Sequence, residues 1–103
     1  MVSVEGRVVR ENQQELRSLL QELIESGASG IALDLNAVHY MDSSGLGCCA
    51  AARKLMTDNG GGSMAIFGAA PNIQKMWELI RLDVMIPSFP DEAAALDHLA
   101  QTV

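Results

Sequence analysis

The chain is poor in aromatic and basic residues, and both shortages restrict its possible roles. Aromatics make up 4% of its 103 residues and hydrophobics 49%, so a core built from this sequence is mostly aliphatic. Lys and Arg number 7 against 13 Asp and Glu, which gives a formal net charge of −6. A nucleic-acid-binding protein presents a basic face. We therefore expect no direct nucleic-acid contact, and an acidic surface that suits a basic protein partner.

Long apolar runs and the cysteine motifs of metal or redox sites are also missing. No run approaches the roughly 20 residues of a membrane span, and the N-terminus shows no signal-peptide pattern. Cys48 and Cys49 are adjacent, and no C-x-x-C or Cys/His cluster accompanies them. Adjacent small thiols of this kind are typical of buried residues in a reducing compartment. The sequence predicts a cytoplasmic protein with no membrane span, no metal site and no cofactor.

Strand-like and helix-like segments alternate along the chain. Strands are predicted at 2–9, Ile31–Leu35, Ser63–Phe67 and Val84–Ile86, and helices after Asn12, Ser44, Pro71 and Asp91. This alternation predicts an α/β fold, with a four- to five-stranded mixed sheet and about four helices mainly on one face. The length fits a single domain over residues 1–103.

Helix boundaries and buried faces follow from local patterns. Asn12 followed by Glu15 resembles a capping box, with Asn in place of Ser or Thr, and Gly27 is the expected stop of the first helix. Apolar residues at helical spacing define one buried stripe on each of three helices. The predicted stripes are Leu16, Leu19, Leu20, Leu23 and Ile24; Ile73, Met76, Trp77 and Ile80; and Ala95, Leu96 and Leu99.

The most informative segment is Tyr40 to Gly47, YMDSSGLG, which joins a predicted strand to a predicted helix. A polar turn at this place puts the hydroxyls of Ser43 and Ser44 at the positive end of a helix, beside free backbone N–H groups. Such a site can hold a phosphate, either that of a ligand or one attached covalently to a serine. A plain helix N-cap explains the same residues, because Asp and Ser are favoured there.

Two catalytic or cofactor motifs are matched only weakly. The segment Gly45–Ala50 fits G-x-G-x-x-[GA], but it does not follow its strand closely, and the next strand ends without an acidic residue for a ribose. His39, Asp42 and Ser43 are neighbours in sequence, but the serine is not in a G-x-S-x-G motif. Neither pattern therefore supports an enzyme.

The segment Asp34–Gly47, DLNAVHYMDSSGLG, closely resembles the signature of STAS domains of the bacterial anti-sigma factor antagonists. The resemblance continues through Asn59-Gly60-Gly61, Ala70-Pro71, the run LIRLD at 79–83 and the run FPDE at 89–92. It implies a non-enzymatic switch protein that binds an anti-sigma factor, itself a serine kinase using Mg-ATP, and so releases a sigma factor.

The resemblance also assigns roles to residues. Ser43, with Ser44 as the alternative, corresponds to the phosphorylated serine, and a phosphatase resets the system. Asp42, Ser43, Ser44, Gly45 and Leu46 form the implied partner-binding segment. We expect phosphorylation to switch partner binding and leave the fold intact, because a negative charge is tolerated at a helix N-terminus and is costly in an interface.

Other STAS domains are scaffolds in stress-sensing assemblies or regulators of transport, and a small-ligand or nucleotide-binding domain is a further alternative. Two features depart from the family pattern. Family members usually carry a fuller pair of strands ahead of the glycine that corresponds to Gly6. The shorter N-terminus of this sequence is expected to leave a sheet edge uncovered, or available to a second copy as in a homodimer. Cys48-Cys49 replaces bulkier aliphatic residues.

Overall fold

The centre of the molecule is a parallel β-sheet. The computed structural model describes residues 2–102, in which the strands are β1 (Val2–Val8), β2 (Gly30–Met41), β3 (Ser63–Phe67) and β4 (Ser88–Phe89). They lie in the order β1-β2-β3-β4, and each neighbouring pair is parallel. The α/β class is confirmed, with one correction: over residues 2–102 the sheet is all-parallel, where a mixed sheet was predicted.

Helices make the crossovers that parallel strands require. They are α1 (Gln13–Glu25), α2 (Ser43–Asp58), α3 (Pro71–Leu79), α4 (Leu82–Met85) and α5 (Glu92–Thr102). The buried side chains of α1 to α4 belong to one large apolar cluster, and those of α5 belong to a smaller one. The prediction of helices mainly on one face is therefore confirmed, and α5 covers the opposite face.

Strand β3 lies between the two layers, and its side chains show the division. Met64 and Ile66 point into the large cluster, whereas Ala65 and Phe67 point into the small one, as expected for residues that alternate between faces. All five residues of β3 are buried, because helices cover both faces of the sheet there.

Two local predictions were wrong. Asn12 is the N-cap residue of α1, but its side chain makes no capping bond: its Oδ1 accepts from the Val9 N–H at 2.9 Å and its Nδ2 donates to the Arg7 carbonyl at 2.7 Å. The segment Val84–Ile86 forms no strand, and the chain pairs with β3 only at Ser88–Phe89. The Asn12 side chain thus bonds to the backbone just before it, and the position of the last strand follows its pairing with β3.

The predicted stripes are only partly buried. Leu16, Leu20 and Ile24 are buried on α1, Ile73 and Trp77 on α3, and Ala95 and Leu99 on α5. Four other members of the stripes are large exposed side chains: Leu19 at 42%, Met76 at 44%, Ile80 at 51% and Leu96 at 44%. Leu19, Met76 and Leu96 are each next in sequence to a buried residue of the same helix, and Ile80 is the C-cap of α3.

Between residues 2 and 102, no helix is both long and apolar enough to cross a bilayer.

Candidate functional site

Strand β2 carries the chain to the site and is longer than predicted. Its first part pairs with β3, and its last part, beyond Leu35, pairs with β1 alone, with Val8 opposite Met41. The Asp42 N–H then donates to the Val8 carbonyl at 3.1 Å. These contacts place the start of α2 at the carboxyl end of a parallel strand, where open α/β sheets usually carry their binding sites.

Asp42 is the N-cap of α2 and joins two segments of the chain. Its Oδ1 accepts from the backbone N–H groups of Ser44 at 2.9 Å and Gly45 at 3.1 Å. Its Oδ2 accepts from the backbone N–H of Arg10 at 3.1 Å. The predicted N-cap is therefore confirmed, but the prediction of free N–H groups is wrong at Ser44 and Gly45, because the Asp42 carboxylate already occupies them.

Two opposing effects set the pKa of Asp42. Desolvation raises the pKa, but the hydrogen bonds from Gly45, Arg10 and Ser44 outweigh it, and the net result lies below the ordinary value of 3.8. These bonds favour the ionised carboxylate. Asp42 is therefore negatively charged at neutral pH, directly beside the two serines.

Ser43 and Ser44 differ in accessibility. Ser43 is the first residue of α2 and is exposed, whereas Ser44 is partly buried. In the described part of the chain, no hydrogen bond engages the Ser43 hydroxyl. His39 is exposed on β2 and has no hydrogen bond to Asp42 or Ser43, so the structure lends no support to a triad. Ser43 thus presents an available hydroxyl without a positioned base.

Gly45 and Leu46, the last two residues of the predicted partner-binding segment, face the interior. A Cβ on Gly45 would lie 2.6 Å from Met41 Cγ and 2.9 Å from the Val8 carbonyl oxygen, so only glycine allows α2 to lie this close to the strands. Leu46 is 6% exposed. Gly45 is therefore a packing residue, and Leu46 offers a partner only a small part of its surface.

An open groove of 660 Å³, which we call the α2–α3 groove, includes Ser43 in its lining. It is lined by Tyr40, Met41, Asp42, Ser43, Leu46, Gly47, Ala50, Asn72, Ile73, Met76 and Ile80. Most of these side chains are apolar, and Tyr40 is 46% exposed. The groove was not predicted, because Met76 and Ile80 were assigned to the core. They share one helical face with the buried Ile73 and Trp77, so spacing in the sequence does not distinguish the exposed pair from the buried pair.

Further exposed apolar residues continue from α3 into α4, and we call Leu79, Val84 and Met85 the apolar rim. They are 67%, 75% and 45% exposed. Two hydrogen bonds hold this region to the core: Trp77 Nε1 donates to the Ile86 carbonyl at 2.9 Å, and Arg53 Nε donates to the Met85 carbonyl at 3.2 Å. The rim is therefore anchored at the surface by polar contacts to its backbone.

The arrangement suits binding of a protein better than binding of a metal or a phosphate ligand. Over residues 2–102, no cluster of His, Cys, Asp or Glu could hold a metal ion. The amides of Ser44 and Gly45 bind Asp42, so they are not available to the phosphates of a nucleotide. What the site offers is an exposed hydroxyl beside an apolar groove.

Comparisons with known proteins agree with this architecture. The anti-sigma F factor antagonist of Paenibacillus polymyxa is 28% identical over 100 residues, which cover 96% of this chain and 85% of that protein. The structure of an anti-sigma factor antagonist from Mycobacterium paratuberculosis has a TM-score of 0.84 at 22% identity, covering 95% of this chain and 82% of its own. The Bacillus cell fate determinant SpoIIAA in its phosphorylated form has a TM-score of 0.69 at 20% identity, covering 93% and 86%. The family model of the STAS domain matches residues 1–95, so the chain belongs to the STAS domain family.

Proposed function

We propose that this protein is an anti-sigma factor antagonist, a binding module that sequesters an anti-sigma factor and so releases a sigma factor. The observation that carries the proposal is the exposed Ser43, which presents a hydroxyl and lines the α2–α3 groove. The relative from Paenibacillus polymyxa, itself an anti-sigma F factor antagonist, supports it. The protein has no catalytic part in this function: it is a binding partner and a substrate.

The anti-sigma factor binds across the α2–α3 groove and the apolar rim. Tyr40, Met76 and Ile80 are each between 44% and 51% exposed, so each has apolar surface left to bury. Because each side chain is already about half buried, completing its burial contributes roughly 1 kcal/mol, and a few such residues dominate an interface. The net charge of −6 favours a partner with a basic contact surface.

Phosphorylation of Ser43 reverses the interaction. The partner is also a serine kinase: the Ser43 oxygen attacks the γ-phosphorus of Mg-ATP, the bond to ADP breaks, and the serine proton is released. A phosphatase later hydrolyses the ester. Because ATP is needed, the cycle takes place in the cytoplasm. The new group carries about −1.5 to −2 charges at neutral pH and lies next to the ionised Asp42.

The added charge acts on binding more than on folding. Asp42 already occupies two amides at the start of α2, so a phosphate at Ser43 gains little stabilisation from the helix. Ser43 is exposed, so water screens the repulsion from Asp42 in the free protein. In a complex the phosphate must lose water beside an apolar groove, which costs several kcal/mol. Phosphorylation therefore lowers the affinity for the anti-sigma factor and leaves the fold intact.

Substitution of the two serines tests the assignment. Ser43→Ala should fold and bind the kinase but accept no phosphate from Mg-ATP, whereas Ser44→Ala should still be labelled. Ser43→Asp should bind roughly ten- to a hundredfold more weakly at an unchanged Tm, because a carboxylate carries less charge than a phosphate. The measurements are phosphate mapping by mass spectrometry, isothermal titration calorimetry and thermal unfolding. Undiminished labelling of Ser43→Ala, or full affinity of Ser43→Asp, would contradict the proposal.

A matched pair of substitutions tests the groove separately. Met76 and Leu96 are both 44% exposed, but only Met76 lines the α2–α3 groove, and Leu96 lies on α5. Met76→Ser should weaken kinase binding by about tenfold, and Leu96→Ser should leave it unchanged. Equal effects of the two substitutions on affinity would show that the kinase binds elsewhere.

A further inference from the structure

Strand β1 lies at the edge of the sheet. It is seven residues long and, among the described residues, pairs only with β2. An edge strand presents backbone N–H and C=O groups that can bind another strand. In β1 the Arg7 carbonyl already accepts from Asn12 Nδ2 at 2.7 Å, which leaves its second lone pair for a strand partner. Neither Pro nor Lys occurs between Val2 and Val8, although these residues commonly protect such edges. We propose that two copies of this chain associate through antiparallel pairing of their β1 strands.

The irregularities of the β1–β2 pairing lie on the inner side. Ser3 is opposite Asp34, but Glu5 is opposite Ala37, so the additional residue belongs to β2. The same holds between Gly6 and Arg7, where β2 again contributes the additional residue. Strand β1 therefore contains no inserted residue, and its backbone departs from the usual strand conformation at Gly6, where φ is +81°.

The side chains of β1 alternate in a way that suits self-pairing. Val2 and Val8 are buried towards the helices, whereas Ser3, Glu5 and Arg7 are exposed on the other face. In an antiparallel pair centred on Gly6, Glu5 lies opposite Arg7 of the second copy, and the two-fold axis repeats this contact. Cross-strand pairs of opposite charge stabilise a sheet.

Neighbouring registers are less favourable. Pairing centred on Glu5 places two glutamates opposite each other, and pairing centred on Arg7 places two arginines opposite each other, which is destabilising in both cases. Gly6 at the crossing point has no side chain, and a Cβ placed there would meet no atom within 4 Å. No side chain therefore crowds the two copies at the centre of the favoured register. Because β1 is complementary to itself in this register, a second copy of the chain is the partner that fits this edge.

A groove of 220 Å³ between β1 and α1 points to the same edge. It is lined in part by Val4, Leu16 and Leu19, and Leu19 is one of the exposed large apolar side chains, at 42%. A second strand placed along β1 covers this groove and removes Leu19 from water. Apolar burial therefore accompanies the backbone hydrogen bonds. The overlap is one short strand from each copy, so the dimer is of the weak, transient class.

Charge-reversal substitutions of Glu5 and Arg7 test the register of the paired β1 strands. Glu5→Arg alone places two arginines opposite each other, and Arg7→Glu alone places two glutamates opposite each other. Each variant should weaken the dimer by about tenfold or more in sedimentation equilibrium. An equimolar mixture of the two variants restores opposite charges at both contacts and should associate as wild type does. Glu22→Arg, an exposed charge reversal on α1, is the control and should change nothing.

Several outcomes would overturn the proposal. The wild type could stay monomeric up to about 1 mM; the single variants could dimerise as wild type does; or the mixture could stay monomeric. Leu19→Ser should weaken the dimer, and Leu96→Ser should not, which tests the groove independently of charge. Circular dichroism of each variant establishes that it is folded. This test does not measure labelling of Ser43, so a failure of the dimer proposal would leave the proposed phosphorylation switch unaffected.

Discussion

Replacing Gly45 by alanine measures how closely α2 must lie against the strands. The added Cβ would lie 2.6 Å from Met41 Cγ and 2.9 Å from the Val8 carbonyl oxygen. Met41 can shift its side chain, but the Val8 carbonyl also accepts the Asp42 N–H at 3.1 Å, so its position is fixed by the cap. Overpacking of this kind costs about 1–3 kcal/mol. The expected fall in Tm is about 4–8 °C for each kcal/mol in a domain of this size.

Gly47→Ala is the matched control, because it makes the same change two residues further along α2. A Cβ on Gly47 would meet no atom within 4 Å, and the residue is exposed. Here alanine should raise the free energy of unfolding by up to about 1 kcal/mol through its better helix propensity. Thermal and urea unfolding followed by circular dichroism measure both variants. If Gly45→Ala melted at or above the wild-type Tm, or both variants shifted in the same direction, the packing argument would be refuted.

Three further outcomes follow from buried and capping groups. Asp42→Asn should be less stable than wild type at neutral pH, and the difference should vanish in acid: the pKa of Asp42 is lower in the folded protein than the ordinary 3.8, so its contribution is present above that value and lost as pH falls through the folded pKa. Denaturant midpoints measured against pH would contradict this if the difference persisted to the acid end of the titration. Burial raises the pKa of Cys48, and it raises that of Cys49 to about 12 with a smaller effect from Cys48, so a thiol reagent at pH 8 should label neither until urea unfolds the chain. Trp77→Phe should lower the free energy of unfolding by about 1–3 kcal/mol, since it leaves the buried Ile86 carbonyl without its indole donor, and unchanged urea unfolding would count against that bond.

Local sequence determined the elements whose signals are contained within a few residues. Strand β3 has the predicted bounds Ser63–Phe67, and α3 begins at Pro71 as predicted. Gly27 follows α1 with φ of +100°, a conformation that side chains other than glycine rarely adopt. The Asp42 cap is of the same kind, because the carboxylate bonds to amides two and three residues further along the chain.

Tertiary structure decided the features that depend on distant segments. Leu82–Met85 forms a helical turn, and the carbonyls of Met85 and Ile86 accept from Arg53 Nε and Trp77 Nε1. The bond from Arg53 spans 32 residues of sequence and leaves no trace in local periodicity, so a pattern of branched apolar residues indicated a strand that does not form.

The candidate functional site also combines features set by local sequence with features set by tertiary structure. The sequence alone determined that a hydroxyl follows a capping aspartate at the start of a helix, which is the position that we propose is phosphorylated. Only the folded chain decided that Gly45 is buried against Val8, that Met76 and Ile80 line a groove beside Ser43, and that β1 ends the described sheet. The physical reason is that helical periodicity fixes which residues share a face. Which part of an apolar face is covered depends on what the rest of the chain places against it.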